Sequence, residues 1–251
     1  IHWTNQGQVL QQSQVSIPGR AGPYVIERPK VVFNLKTSLF VMWFHLDSSN
    51  YGYRYVGVAT SQHPQGPFQF IHGFQPDGIP SLDMNLFEDN QNGTVKGVYL
   101  IRSCNNQYVG ISQLNDDYLN TTGIISRISE PREGHAVFFR NNRYYMMTSH
   151  LTGWAPNAAE LFISNSNSLI DAQWISLGNP THSSTTFNSQ STFVLPFPSR
   201  KNPGELFYIY MGDRWNAPDL LDASYIWLPY QFYSDTNVTL PWLDKWSLDD
   251  Y

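Results

Sequence analysis

Apolar and polar residues alternate along this chain in short bursts rather than in helical turns. From residue 27 onward, runs rich in Val, Ile, Phe, Tyr and Trp are separated by Gly, Pro, Asn or Asp breaks, the pattern of short strands joined by tight turns. Helical periodicity is confined to stretches such as 216–223, long enough for a turn or two. The strands fall into groups of four. The first group is 27–34 (ERPKVVFN), 39–45 (LFVMWFH), 53–60 (YRYVGVAT) and 68–72 (FQFIH). The second is 83–89, 97–103, 108–114 and 123–128, and the third is 133–139, 143–149, 160–164 and 172–177. The fourth is 190–196, 205–212, 225–232 and 242–248.

The groups begin at positions 27, 83, 133 and 190, at intervals of 56, 50 and 57 residues. A period near fifty with four strands per unit indicates a β-propeller, one blade per repeat. A sandwich or jelly roll would also have many short strands, but not this recurrence. The first residues (IHWTNQGQVL) read as the outer strand of a further blade whose other strands are missing. The expected architecture is therefore all-β: a five-bladed β-propeller, lacking most of its first blade, in one domain over 1–251. Residues 1–11 would supply the outer strand of the incomplete blade and residues 24–251 the four others. Such a cut leaves an open sheet edge where a ring should close.

Composition fits this class and removes others. Aromatic residues make up 15% of the chain and charged residues only 14%, a balance that suits packed strands and surfaces that stack on sugars. The net charge of −5 and the absence of any Lys/Arg run give nucleic acid no basic face. No apolar run approaches a membrane span. The single cysteine, Cys104, rules out an internal disulfide and a cysteine-based metal site, and it reads as a buried small hydrophobe. Three sequons, at Asn92, Asn120 and Asn237, stand in turn-like contexts and lean toward a secreted, glycosylated protein. The chain does not begin with Met and shows no signal peptide, so it reads as processed, trimmed or truncated.

In a propeller the first strand of each blade lines the central channel, which singles out Glu27, Asp83, Glu133 and Gln190. All four are polar, and each heads an otherwise apolar strand. Channel positions tolerate any polar residue. Three carboxylates in one funnel are nonetheless costly, because like charges raise each other's pKa. A carboxylate pair with separated pKa values is the device of glycoside hydrolysis, one group acting as acid and the other as base or nucleophile. The stretch 133–157 is the focus. It opens with Glu133, runs into an apolar strand, turns at Asn141-Asn142, returns as an aromatic strand and ends in a loop carrying Trp154.

Several motifs carry a resemblance beyond composition. They are Glu27-Arg28-Pro29-Lys30-Val31, Met42-Trp43-Phe44-His45, Asp47-Ser48-Ser49-Asn50-Tyr51-Gly52 and Gly57-Val58-Ala59-Thr60, followed by Thr152-Gly153-Trp154-Ala155-Pro156-Asn157, Asn188-Ser189-Gln190-Ser191 and Met211-Gly212-Asp213-Arg214-Trp215. Together they resemble glycoside hydrolase family 43, and within it the exo-β-1,3-galactanase subgroup, over essentially the whole chain. The resemblance implies a five-bladed propeller and an inverting mechanism. Glu133 matches the general acid, Asp83 the carboxylate that orients it and tunes its pKa, and Glu27 a carboxylate of the galactose pocket. Most of the family uses an Asp of the first blade as base. In this subgroup a Gln of the last blade handles the water, and Gln190 matches it, although an amide is a poor base. Tyr51, Thr152 and Trp154 match positions around the terminal sugar. Two departures stand out. Gly134-His135 follow Glu133 where Ala-Pro is usual, so His135 either tunes the acid or fills a turn. The first blade and a following carbohydrate-binding module are also missing.

The leading expectation is a secreted, monomeric, exo-acting hydrolase that removes galactose from β-1,3-galactan or arabinogalactan with inversion, with no cofactor, nucleic-acid or membrane partner. An α-L-arabinofuranosidase or β-xylosidase is the neighbouring reading, and a non-catalytic sugar-binding propeller is the reading from another class. His45, His135, His150 and His182 lack metal-ligand spacing, so no metal is expected. A phosphate loop and a G-x-S-x-G elbow are both absent.

Overall fold

The computed structural model describes residues 4–91 and 93–251, and among these every regular element is a β-strand or a short 3-10 turn. Three four-stranded antiparallel sheets follow one another in sequence. The first joins β1 (Tyr24–Asn34), β2 (Leu39–Ser48), β3 (Tyr55–Ser61) and β4 (Gln69–Phe74). The second joins β5 (Ser81–Gln91), β6 (Thr94–Cys104), β7 (Tyr108–Leu114) and β8 (Thr121–Ile128). The third joins β9 (Glu133–Arg140), β10 (Arg143–Ser149), β11 (Glu160–Ser164) and β12 (Trp174–Ser176). A fourth, three-stranded sheet holds β13 (Gln190–Pro198), β14 (Leu206–Arg214) and β15 (Ser224–Pro229). A two-stranded ribbon of β16 (Gln231–Phe232) and β17 (Val238–Thr239) follows it. Each sheet is an in-order meander, the blade of a β-propeller, so the class is all-β with four blades. The chain divides into two compact units, residues 1–125 and 126–251.

Second strands are buried on both faces, which is why they read as continuous apolar runs and not as alternating ones. In the first unit, Trp43 of β2 is fully buried among Val41, Val58, Met84 and Leu100. Its indole Nε1 donates to the Tyr118 carbonyl at 2.8 Å, so the one polar atom of a large core side chain is satisfied. In the second unit, Phe138 and Tyr145 stack at 5.0 Å inside a cluster with Tyr208, Tyr210 and Leu228. Cys104 is fully buried, as its apolar strand implied, and burial pushes its thiol upward.

Among the described residues, two expected strands are not formed. Residues 1–3 of the expected N-terminal strand lie outside the described residues, and residues 4–10 are not a strand. They are held otherwise: Val9 and Leu10 pack against the cluster of Phe44 and Phe68, and the Val9 carbonyl accepts the Phe68 N–H at 2.7 Å. One bond and two apolar side chains secure the segment without a ladder. The second absence is 242–248, expected as the outer strand of the last blade. Here Pro241 removes a donor, and the Trp246 indole Nε1 donates to the Trp227 carbonyl at 2.7 Å, so a side chain takes up a backbone acceptor on edge strand β15. The last blade therefore has three strands. The helical stretch at 216–223 shrinks to a 3-10 turn, Leu220–Asp222, capped by Asp219.

Candidate active site

Each first strand carries an irregularity at its candidate residue. Glu27 pairs with His45 but the next pair is Lys30 with Trp43, so Arg28 and Pro29 stand opposite one residue. The same two-against-one bulge places Leu82 and Asp83 between the Ser81 and Met84 pairings, and Gly134 and His135 after Glu133. On β13 the register shifts after Ser191. A bulge bends the strand and re-aims the side chains beside it. This is how a polar residue heading an apolar strand is turned away from the core.

In the first unit, both Glu27 oxygens are occupied. Oε1 accepts the Tyr51 hydroxyl at 2.6 Å and Oε2 meets His45 Nδ1 at 3.1 Å. The other ring nitrogen, Nε2, meets Asp47 Oδ2 at 2.9 Å. Asp47 is fully buried, and its Oδ1 accepts the backbone N–H groups of Ser48, Tyr53 and Arg54 at 2.9, 2.7 and 3.1 Å. Burial opposes charge on His45, yet its bonds to Asp47 and Glu27 outweigh this and raise its pKa to about 9. Burial likewise pushes Asp47 up, but the His45 bond and the backbone donors hold it below the ordinary carboxylate value. Asp83 is half-buried, and its Oδ1 lies 2.6 Å from Arg28 Nε. Arg28 and Tyr51 both have left-handed backbone (φ 53° and 55°), the kind of strain that collects at functional sites.

In the second unit, Glu133 opens β9 directly across from Ser149 of β10. Gly134 has φ +60°, and a Cβ there would stand 2.9 Å from Gln190 Cγ and 3.1 Å from both Ser149 Oγ and Ser191 Oγ. Only glycine fits this turn. His135 is buried, and its Nε2 meets the Arg132 carbonyl at 3.1 Å, so it closes the turn entering β9. Gln190 is fixed at both ends: Trp215 Nε1 donates to Oε1 at 2.9 Å, and Nε2 donates to Ser149 Oγ at 2.9 Å.

Gln190 and Ser149 border a cleft that is also lined by Trp154, Asn157, Asn188, Asp213 and Trp215. Trp154 is 44% exposed and stands edge-on to Trp215, with centroids 5.6 Å apart. An exposed indole above a polar floor is suited to stack on a sugar face. The loop that carries it is knitted internally. Asn157 Nδ2 donates to the His150 carbonyl and to Thr152 Oγ1 at 2.9 and 2.7 Å, its Oδ1 accepts the His150 N–H at 3.0 Å, and the Thr152 hydroxyl donates to the Ala155 carbonyl at 2.5 Å. Thr152 thus shapes the loop. Across the cleft, Thr186, Phe187 and Asn188 are consecutive left-handed residues (φ 49°, 57°, 57°), with the Phe187 carbonyl accepting Arg214 Nη2 at 2.9 Å.

The candidate residues thus fall into two groups. Glu27 and Tyr51 bond directly, with Asp83 paired to the residue next to Glu27; Gln190 and Trp154 border one cleft, with Glu133 opposite the serine that Gln190 bonds. The residue reading passed over His45, Asp47, Ser149 and Trp215. A signal existed for the first two, since His45 and Asp47 are two apart on a strand and so share a face. Ser149 and Trp215 are placed by register and loop course, which spacing does not reveal. Among the described residues no cluster of His, Cys, Asp or Glu could hold a metal ion.

Comparison with solved structures gives extensive matches. An exo-β-1,3-galactanase from Phanerochaete chrysosporium, solved as a Glu-to-Gln variant with β-1,3-galactotriose, is 35% identical with a TM-score of 0.82, covering 97% of this chain and 54% of that one. A GH43 β-1,3-galactosidase solved with galactodeoxynojirimycin is 32% identical with a TM-score of 0.83, covering 97% of this chain and 83% of that one. An exo-β-1,3-galactanase from Clostridium thermocellum is 35% identical with a TM-score of 0.78, covering 94% and 52%. This chain thus spans about half the length of the two galactanases. An endo-1,4-β-xylanase from Bacteroides thetaiotaomicron, at 19% identity, shares the fold alone. No protein-family model and no curated protein matches the chain.

Proposed function

The chain belongs to glycoside hydrolase family 43, and from that premise we propose that it removes terminal galactose from β-1,3-galactan with inversion at the anomeric carbon. Glu133 donates its proton to the departing glycosidic oxygen as the bond to the anomeric carbon breaks. Water attacks that carbon from the opposite face, its approach set by the Gln190 amide, and releases its proton to solvent as the new bond to the anomeric carbon forms. In the first unit Glu27 and Tyr51 match sugar-binding positions of the family, and in the second Trp154 is suited to stack on the apolar face of a sugar.

The observation that carries the reading is the clamped amide of Gln190. An unrestrained glutamine would present oxygen and nitrogen interchangeably to water. Donation from Trp215 fixes which end is oxygen and donation to Ser149 fixes which is nitrogen, so the water meets one defined acceptor. Support for galactan over arabinose- or xylose-containing substrates comes from the galactan-directed names of relatives above 30% identity, against 19% for the xylanase. The wider proposal keeps a five-bladed parent fold, a monomer, and secretion with glycosylation. The family resemblance supports the first, and exposure of Asn120 and Asn237 supports the last; Asn92 lies outside the described residues.

The test is galactose release from β-1,3-galactotriose by the wild-type chain and by Glu133→Gln. General-acid catalysis contributes about 10²–10⁴-fold, so kcat should fall by at least that factor. Unchanged turnover would remove Glu133 from the mechanism.

A further inference from the structure

Glu27, the carboxylate proposed above for sugar binding, is one end of a three-residue chain, Glu27–His45–Asp47, whose middle member is 2% exposed. Both ring nitrogens of His45 face carboxylate oxygens, and an ionised carboxylate can only accept. A neutral imidazole donates once, so one of the two contacts would set lone pair against lone pair. The arrangement is satisfied when the ring carries both protons, giving −1, +1, −1 along the chain. The distal end cannot yield: Asp47 is fully buried and its second oxygen takes three backbone N–H groups. The proximal end can, because the Glu27 side chain is 30% exposed and otherwise held by Tyr51.

From this geometry, and resting on the glycosidase reading above, we propose that His45 is a positioning residue for substrate binding: as an imidazolium braced by Asp47, it fixes the Glu27 carboxylate in the orientation that receives the sugar.

The surroundings leave that role to few groups. β1 carries Glu27, Arg28 and Lys30, of which Arg28 is engaged with Asp83 of β5 and Lys30 pairs with Trp43. β2 contributes Asp47, and β3 presents Val56 at the paired position. From the intervening loop Tyr51 lies over the ring at 5.8 Å, and Arg54 directs its guanidinium to the Tyr51 carbonyl and the Asn105 side chain. When His45 loses its second proton, Asp47 keeps the remaining N–H because it is immobile and desolvated. Glu27 then faces a bare ring nitrogen and turns away. Glu27 in this reading binds the sugar and transfers no proton, so the effect falls on KM and not on kcat.

Two measurements on the full chain decide this. Imidazole ¹⁵N spectra should show His45 doubly protonated at pH 7.5 and titrating near pH 9; a neutral ring at pH 7.5 would overturn the proposal. In kinetics on β-1,3-galactotriose, the wild type should show KM rising above pH 9. His45→Gln, which can donate to only one neighbour from its single amide nitrogen in this line, should have a KM raised about tenfold at pH 7, with kcat within a few-fold and the alkaline rise in KM gone. A variant that keeps the wild-type KM and its alkaline rise would overturn it. Should the wild type prove inactive on galactan, the functional reading fails on its own, and a neutral His45 ring would still overturn the bracing of Glu27.

Discussion

Gly134 shows how one residue can mislead in a sequence and explain itself in a structure. Next to the expected acid, the Gly-His pair replaces the usual Ala-Pro and leaves open whether His135 tunes the acid or fills a turn. In the fold it is the bulge itself: Gly134 is left-handed, with Gln190, Ser149 and Ser191 packed where a Cβ would go, and its carbonyl accepts the Ser191 hydroxyl. Gly134→Ala should destabilise the second unit by roughly 1–3 kcal/mol from left-handed strain and crowding, read as a lower urea midpoint, and should depress kcat because the side chain pushed aside is Gln190. At His45 the expectation concerns pH. Its pKa rises from 6.5 to about 9 on folding, so the folded state holds the proton more tightly than the unfolded one. The resulting stabilisation, about 3 kcal/mol at most, is fully present below pH 6.5 and is lost as pH rises through 9. Urea midpoints should therefore fall between pH 6.5 and 9.5 in the wild type and much less in His45→Gln.

At the scale of elements, the inner strands were legible because each pairs a polar head with an apolar run, and the structure places β1, β5, β9 and β13 at those runs. Two outer strands were not legible. The 242–248 stretch has strand-like residues, but Pro241 and the Trp246 side chain replace the ladder, and such replacement depends on what lies alongside. The same limit hid the inner bonding of the loop from His150 to Asn157: the sequence offered Thr152 and Trp154 as sugar contacts, and the hydrogen bonds add that Thr152 and Asn157 staple the loop that carries Trp154. Asn157→Ala removes three of these bonds. Because the loop is exposed, the melting temperature should shift little, while kcat/KM for galactotriose should drop about tenfold as the indole loses its fixed stance. A fall in melting temperature matching loss of a core residue would contradict a purely local role.

For the whole molecule, the period near fifty residues was enough to read all-β blades, and the identity of relatives over 97% of the chain adds the family. What spacing could not supply was orientation within each blade: which oxygen of Glu27 meets His45, or which end of the Gln190 amide meets Trp215. Those are set by bulges and by side chains far away in sequence, such as Trp215 reaching back to Gln190. Trp43→Ala offers a check on the packing that supports them. Deleting this fully buried ring should cost about 3–5 kcal/mol, visible as loss of the cooperative unfolding transition of the first unit well before that of the second.

The central claim, an acid at Glu133 working with water directed by Gln190, is tested most directly by following β-1,3-galactotriose hydrolysis by proton NMR from the first minutes. The account requires α-galactose to appear first, with the β-anomer growing in only as mutarotation proceeds. Initial release of β-galactose, or no galactose at all, would contradict it.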